Sequence, residues 1–336
     1  MINFKNDYNL LAHKNILEAM IKYNENSYVG YGLDNITELA ISEIKKHMDT
    51  DVDIHLLLGG TSANKIVISH ALRPYEAVIS VETGHICVHE TGAIEATGHK
   101  IITVKGVNGK ITPELILDAI KIHTDEHMVF PKMVYITQAT EIGTLYSKEE
   151  LIEIHNVCKE NNLFLFLDGA RLAVGLDKSD ITLNDLAKYT DVFYIGGTKN
   201  GALLGEAVVI SNDEIKNNFR FSIKQNGGMY AKGFVAGIQF YELFKDGLYF
   251  ELGHNSNVMA DMLAKGLMDR KIELLYPNVT NQLFVVIDNE LYNKLMKYVL
   301  FELWIDFGDK KAIRFVTNFN TKEKDIIEFF ELIDRL

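Results

Sequence analysis

Continuous apolar runs broken by glycine-rich turns recur along the first two thirds of the chain. They are IHLLL (54–58), EAVISV (76–81), MVYIT (133–137), LFLFLD (163–168) and DVFYIGG (191–197). Runs that are apolar at every position, rather than at alternate ones, predict strands buried on both faces of a mostly parallel sheet. Between them lie helical patterns. KIVISHAL follows GGTSAN, and SKEELIEIHNVCKEN opens with Ser147 and Glu150 in the spacing of a capping box. One connection breaks the alternation. About ten residues separate VFYI from EAVVI, too few for a helical crossover, so this pair is expected to form a hairpin and leave one antiparallel strand in the sheet.

After about residue 245 the pattern changes. A helical stretch, NSNVMADMLAKGLMDR, precedes QLFVVID, ELWIDF, AIRFVT and a final amphipathic EKDIIEFFELIDRL, which together predict a smaller α+β domain. The expected organisation is an N-terminal segment (1–45), which packs on the small domain or on a partner subunit, then a large α/β domain (46–245) and a small domain (246–336).

Composition narrows the function classes. The net charge of −12 and pI near 5.4 argue against a nucleic-acid partner, and no apolar run approaches the ~20 residues of a membrane span. The opening MINFKNDYNLLAHKN lacks the apolar core of a secretory leader, and two cysteines, Cys87 and Cys158, suit a reducing compartment. A cytoplasmic location is therefore expected.

Five motifs carry chemistry, each with a bland alternative. In LLLGGTSAN, two glycines and two hydroxyl residues precede a helix. They read either as a capped tight turn or as an anion cradle in which Gly60 admits the ligand and Thr61 and Ser62 add donors. In LFLFLDGARLAVG, Asp168 ends a buried strand, at the sheet edge where open α/β sheets bind ligands, with Arg171 close by as a salt-bridge partner. In YIGGTKNG, Lys199 is either a hairpin-tip lysine or an amine whose pKa burial lowers into the nucleophilic range. His85 and His89 stand four residues apart without the glutamate of a zinc-protease helix and without paired cysteines. No metal is expected, and a ring lying over a flat ligand is the better motivated use of His85. Arg314, inside the apolar run AIRFVT, requires a carboxylate from the protein or from a ligand. An anion cradle, a strand-end aspartate, a reactive lysine, a ring and a carboxylate-binding arginine are together the parts pyridoxal phosphate needs. No G-x-G-x-x-G follows a strand, which disfavours a nicotinamide dehydrogenase.

The ordered set GGTSAN, GHICVHETGAIEATGHK, LDGARLA, GGTKNGALLGEA, IKQNGG, NQLF and IRFVTNF resembles the low-specificity L-threonine aldolases. These belong to the β-eliminating-lyase group of fold-type-I pyridoxal-phosphate enzymes. The resemblance covers nearly the whole chain, including NDYN and YGLDN. It implies a fold-type-I α/β architecture and cleavage of L-threonine or L-allo-threonine to glycine and an aldehyde, in a homodimer or homotetramer with shared active sites. By resemblance, Lys199 carries the cofactor, Asp168 partners its ring nitrogen, His85 stacks on the ring, and Gly60, Thr61 and Thr198 surround the phosphate. Arg171 and Arg314 hold the substrate carboxylate, Asn6 and Tyr31 lie near it, and Lys224 reaches a phosphate, across a subunit interface in one reading. Two positions depart from the family pattern. TQATEIGT offers Thr140 and Glu141 where a second histidine is usual, and Tyr230 replaces an arginine. His85, His89, Glu141 and an ordered water remain open as the acceptor of the β-hydroxyl proton. The rival expectations are another pyridoxal-phosphate reaction, β-elimination or transamination, and a non-catalytic protein that kept the fold.

Overall fold

The computed structural model describes residues 1–336. The chain opens with β1 (Ile2–Asn3), and seven strands then build the main sheet: β2 (Asp53–Leu57), β3 (Glu76–Val81), β4 (Ile101–Val104), β5 (Phe130–Thr137), β6 (Phe164–Asp168), β7 (Val192–Gly196) and β8 (Glu206–Ile210). Their spatial order is β2-β8-β7-β6-β5-β3-β4. The expected antiparallel strand is β8, which returns along β7 with Gly196 opposite Glu206 and also pairs antiparallel with β2. The remaining neighbours are parallel.

Period-2 alternation decides what meets what. Along β6, Leu165 and Leu167 enter one core, while Phe164 and Phe166 enter a second core on the opposite face. The same split sends Tyr135 of β5, Tyr194 of β7 and Val208 of β8 to the second face, which the helix Gly60–Ala71 covers with Ala63, Ile66 and Val67. Asp168, one residue past Leu167, and Glu206, two before Val208, point to this face as well. The helix Lys148–Glu160 starts with the expected capping box between Ser147 and Glu150.

The remaining strands are β9 (Glu273–Leu274), β10 (Gln282–Asp288), β11 (Val299–Leu300), β12 (Glu302–Asp306) and β13 (Lys310–Val316). Four of them form an antiparallel sheet in the order β12-β13-β10-β9. It packs with the helix Glu323–Ile333 around its own core of Leu283, Val285, Ile313, Phe315 and Phe329. β1 pairs with β11, and Phe4 is buried in that same core, so the N-terminal lead docks on the small sheet. The helix Leu248–Asp269 joins the two regions: Tyr249 and Leu252 lie in the main core, while Leu263 and Leu267 lie in the small one. Gly253 lets this helix press on the helix Leu172–Lys178, because a Cβ there would stand 2.6 Å from the Ala173 carbonyl oxygen.

Candidate active site

The C-terminal edge of the parallel strands opens into a cleft of about 480 Å³. Its walls include Gly60, Thr61, His85, His89, Glu141, Arg171, Thr198, Lys199 and Arg314, all singled out from sequence, together with Tyr8, Tyr194, Glu206 and Glu302.

Asp168 lies beneath the cleft, 2% exposed. Oδ2 accepts from the Tyr135 hydroxyl at 2.5 Å and from Asn64 Nδ2 at 3.0 Å, and Oδ1 accepts from the Tyr194 hydroxyl and from the Ala170 N–H at 2.9 Å. Four donors satisfy both oxygens of the buried carboxyl group and hold its orientation. Burial and the adjacent negative charge push both tyrosine hydroxyls well above their ordinary pKa, so they remain donors. Asn64 donates its second Nδ2 proton to Glu90 Oε1 at 2.8 Å, so one amide separates two buried carboxyls. Burial raises the pKa of Glu90.

Lys199 sits on the β7–β8 hairpin, half-buried, and its amine has no hydrogen-bond or ion-pair partner. Burial and the neighbouring Arg171 charge lower its pKa, opposed by Asp7, Glu141 and Asp168. Glu206 anchors the hairpin by accepting from the Gly197 N–H at 2.9 Å, and burial lifts its pKa to about 7.

On another wall, His85 Nδ1 meets Glu141 Oε1 at 3.1 Å, with Glu90 Oε1 3.9 Å from Nε2. Burial disfavours the imidazolium, but Glu141 outweighs it and the His85 pKa rises. Glu141 itself, despite burial, is drawn down to about 2 by His85, Arg171 and Lys199. His89 Nε2 approaches Glu141 Oε2 at 3.8 Å.

The two arginines are already engaged within the chain. Arg171 does not bridge to Asp168. Its Nε and Nη2 donate to Asp7 at 2.7 and 3.1 Å, and Asn281 Nδ2 donates to Asp7 Oδ2 at 3.0 Å. Arg314 donates to Glu302 across the β12–β13 ladder and to Gln282 Oε1 at 3.3 Å.

Besides Asp168, which lies beneath it, four residues singled out from sequence are not on the cleft wall. Ser62 lies in the first helical turn with its side chain off the cleft. The Asn6 side chain accepts from the Tyr8 N–H, and its neighbour Asp7 is the one that reaches Arg171. Lys224 stacks on Tyr31 at 4.8 Å, and Tyr31 lines a different cavity with Arg220 and Tyr230. Conversely, Asp7, Asn64, Glu90, Tyr135, Tyr194, Glu206 and Glu302 were missed. The two tyrosines had a legible signal, since both stand three residues or fewer from a strand's C-terminal end on one face. Asp7, Asn64 and Glu90 are single polar residues whose partners are remote in sequence, while Glu206 and Glu302 meet theirs across hairpins whose facing register no local pattern shows.

The donor set fits pyridoxal phosphate. At the start of the helix Gly60–Ala71, the backbone N–H groups of Gly60, Thr61 and Ser62 have no acceptor in the protein, and no side chain caps them. Three free N–H groups at a helix N-terminus suit a phosphate. A Cβ on Gly60 would meet the Tyr194 hydroxyl at 3.0 Å, so glycine allows the turn to approach the Asp168 cluster. The unpartnered Lys199 amine suits an aldehyde, and the fixed Asp168 carboxylate suits a protonated pyridine nitrogen.

A family model described as beta-eliminating lyase matches residues 12–290. The chain is 31% identical over 92% of its length, and 90% of the relative's, to a low specificity L-threonine aldolase of Pseudomonas sp. (strain NCIMB 10558). A solved Leishmania major threonine aldolase superposes with a TM-score of 0.98 at 44% identity, covering 100% of this chain and 99% of the other. A Thermus thermophilus aspartate aminotransferase shares the fold at 14% identity, with a TM-score of 0.74 over 100% and 91% of the two chains.

Proposed function

The chain belongs to the beta-eliminating lyase family, and from that premise we propose that it cleaves L-threonine and L-allo-threonine to glycine and an aldehyde. The observation that carries the reading is the meeting, in one cleft, of an unpartnered lysine amine, free helix N-terminal N–H groups and a carboxylate held by four donors.

Pyridoxal phosphate, when bound, supplies an electron sink conjugated to the substrate nitrogen. Lys199 is the amine that would hold it, and its lowered pKa keeps a larger share of the amine unprotonated and nucleophilic. Asp168 supplies the negative charge that keeps a pyridine nitrogen protonated. Gly60, Thr61, Ser62 and Thr198 supply donors for the phosphate. Arg314 orients the substrate carboxylate, while Arg171, locked to Asp7, adds positive potential beneath it. The β-hydroxyl proton leaves toward the wall of His85, His89 and Glu141, where Glu141 takes the place of the second histidine usual in the resembling family.

The working unit we propose is a cytoplasmic homodimer or homotetramer. Support comes from an apolar surface around Tyr31: Val29, Tyr31, Leu33 and Phe221 are 63%, 44%, 60% and 76% exposed. Tyr31 and Lys224 stand together on that surface, and in this reading they serve the cleft of a second copy.

The test is direct. Protein purified with pyridoxal phosphate should carry a borohydride-reducible chromophore on Lys199, and threonine should yield glycine and acetaldehyde. Lys199→Ala should lose both. Ammonia and a 2-oxo acid as products would replace the reading with β-elimination or transamination.

A further inference from the structure

Both arginines on the cleft face a carboxylate, but in different ways. Asp7 grips Arg171 by the edge formed by Nε and Nη2, and both side chains are almost fully buried, at 2% and 7% exposure. Glu302 takes Nη2 of Arg314 alone. Arg314 Nε, on the same edge of the guanidinium, is buried without any partner. The Glu302 side chain is 42% exposed, against 7% for Arg314. It also stands on β12, the edge strand of the small sheet, beside a bulge between Leu303 and Ile305. Edge strands have a ladder partner on one side only, and bulges next to active sites re-aim side chains.

A donor edge half filled by a solvent-reaching carboxylate differs from one filled by a buried carboxylate. The Asp7–Arg171 pair is permanent, because removing Asp7 would strand a buried charge. Glu302 can return to water at little loss, and an incoming carboxylate that bridges Nε and Nη2 satisfies the orphaned donor as well.

We propose that Glu302 is the resting occupant of the substrate-carboxylate seat on Arg314, and that the α-amino acid binds by displacing it. Glu302 is thus a specificity-determining residue: it sets the threshold a ligand's carboxylate must exceed to take the seat. The inference rests on the aldol-cleavage reading for its substrate, though not for its test.

The chain carries its own reporter. Trp304 is its single tryptophan, and Arg314 Cζ lies 5.7 Å from the centroid of its ring. Glycine is titrated into the pyridoxal-phosphate-loaded enzyme while Trp304 emission is followed, for wild type, Glu302→Gln and Glu302→Ala. Loss of an exposed competitor should tighten glycine binding about two- to fivefold in both variants, the range that the strength of partly exposed ion pairs implies. KM for L-threonine should fall by a similar factor, with a smaller change in kcat. Methylamine, which has no carboxylate, should bind wild type and variants alike. Weaker or unchanged glycine binding in both variants would overturn the proposal and assign Glu302 to orienting Arg314. A wild type that binds glycine without cleaving threonine would reject the aldolase reading, and the titration would still decide the role of Glu302.

Discussion

Neutralising Asp7 perturbs the most deeply buried ion pair of the cleft. In Asp7→Asn, Arg171 keeps its place beneath the site but loses a bidentate carboxylate at 2.7 and 3.1 Å, with both partners shielded from water. Breaking a buried pair from one side leaves the other charge uncompensated and typically costs about 3–5 kcal/mol. Unfolding entropy of about 2.1 cal/mol/K per residue comes to about 0.7 kcal/mol/K over the 336 residues, so Tm should fall by about 4–7 °C. Burial alone would raise the Asp7 carboxyl, but Arg171 and Lys199 outweigh it and hold it below its ordinary 3.8. A depressed carboxyl contributes stability above its unfolded pKa and loses it as pH falls through the folded value. Below about pH 4, therefore, the Tm difference between wild type and variant should shrink. The assay is a calorimetric scan of both proteins from pH 7 to pH 3, with the double variant Asp7→Asn, Arg171→Met as control. The double variant, which removes both charges, should recover much of the loss. A Tm drop under about 1 °C at pH 7, or a double variant less stable than the single, would refute the reasoning.

Two further outcomes follow from the geometry. In Glu141→Gln the His85 imidazolium loses the charge that raises its pKa, against burial and Lys199, while Glu90 and Asp168 remain. The His85 ring resonances should therefore titrate at lower pH by NMR, and an unmoved midpoint would assign the shift to the remaining carboxylates instead. In stability terms this pair acts fully between about pH 4.5 and 6.5. It fades as pH rises through the raised His85 value or falls toward about 2, where Glu141 titrates, so Glu141→Gln should lower Tm most inside that window. Gly253→Ala, which in an open helix would stabilise by about 1 kcal/mol, should destabilise instead, because the new methyl would stand 2.6 Å from the oxygen and 2.7 Å from the carbon of the Ala173 carbonyl. Relieving that overlap should cost about 1–3 kcal/mol and lower Tm by about 1–4 °C, with a raised Tm as the contrary result.

Much of the site was legible because strand ends announce themselves. LFLFLD and VFYIGG are apolar until a charged or glycine-rich edge, which locates Asp168 and Lys199 on one rim. The hairpin between β7 and β8 was readable from connection length alone. Harder to read were residues whose meaning depends on a distant partner. Arg171 and Asp7 are 164 positions apart, and Asn64 meets Asp168 across 104. No local pattern distinguishes Asp7 from a solvated aspartate in a polar lead. Tyr31 was expected near the substrate and Lys224 at a phosphate, but within the chain they stand with each other on another surface, since motif order along a chain does not say which loops meet once it folds.

Local sequence determined the alternation of strand and helix, the single antiparallel return and the set of chemical groups at the sheet edge. Those follow from apolar periodicity, turn residues and connection length, all written within a few neighbouring positions. Tertiary structure decided the pairing of charges: Asp7 with Arg171, Asn64 between Asp168 and Glu90, Glu141 with His85, and Glu302 half filling Arg314. A buried charge takes whichever partner the packed chain brings within hydrogen-bond reach, and that distance exists only once the sheet, its covering helix and the N-terminal lead have come together.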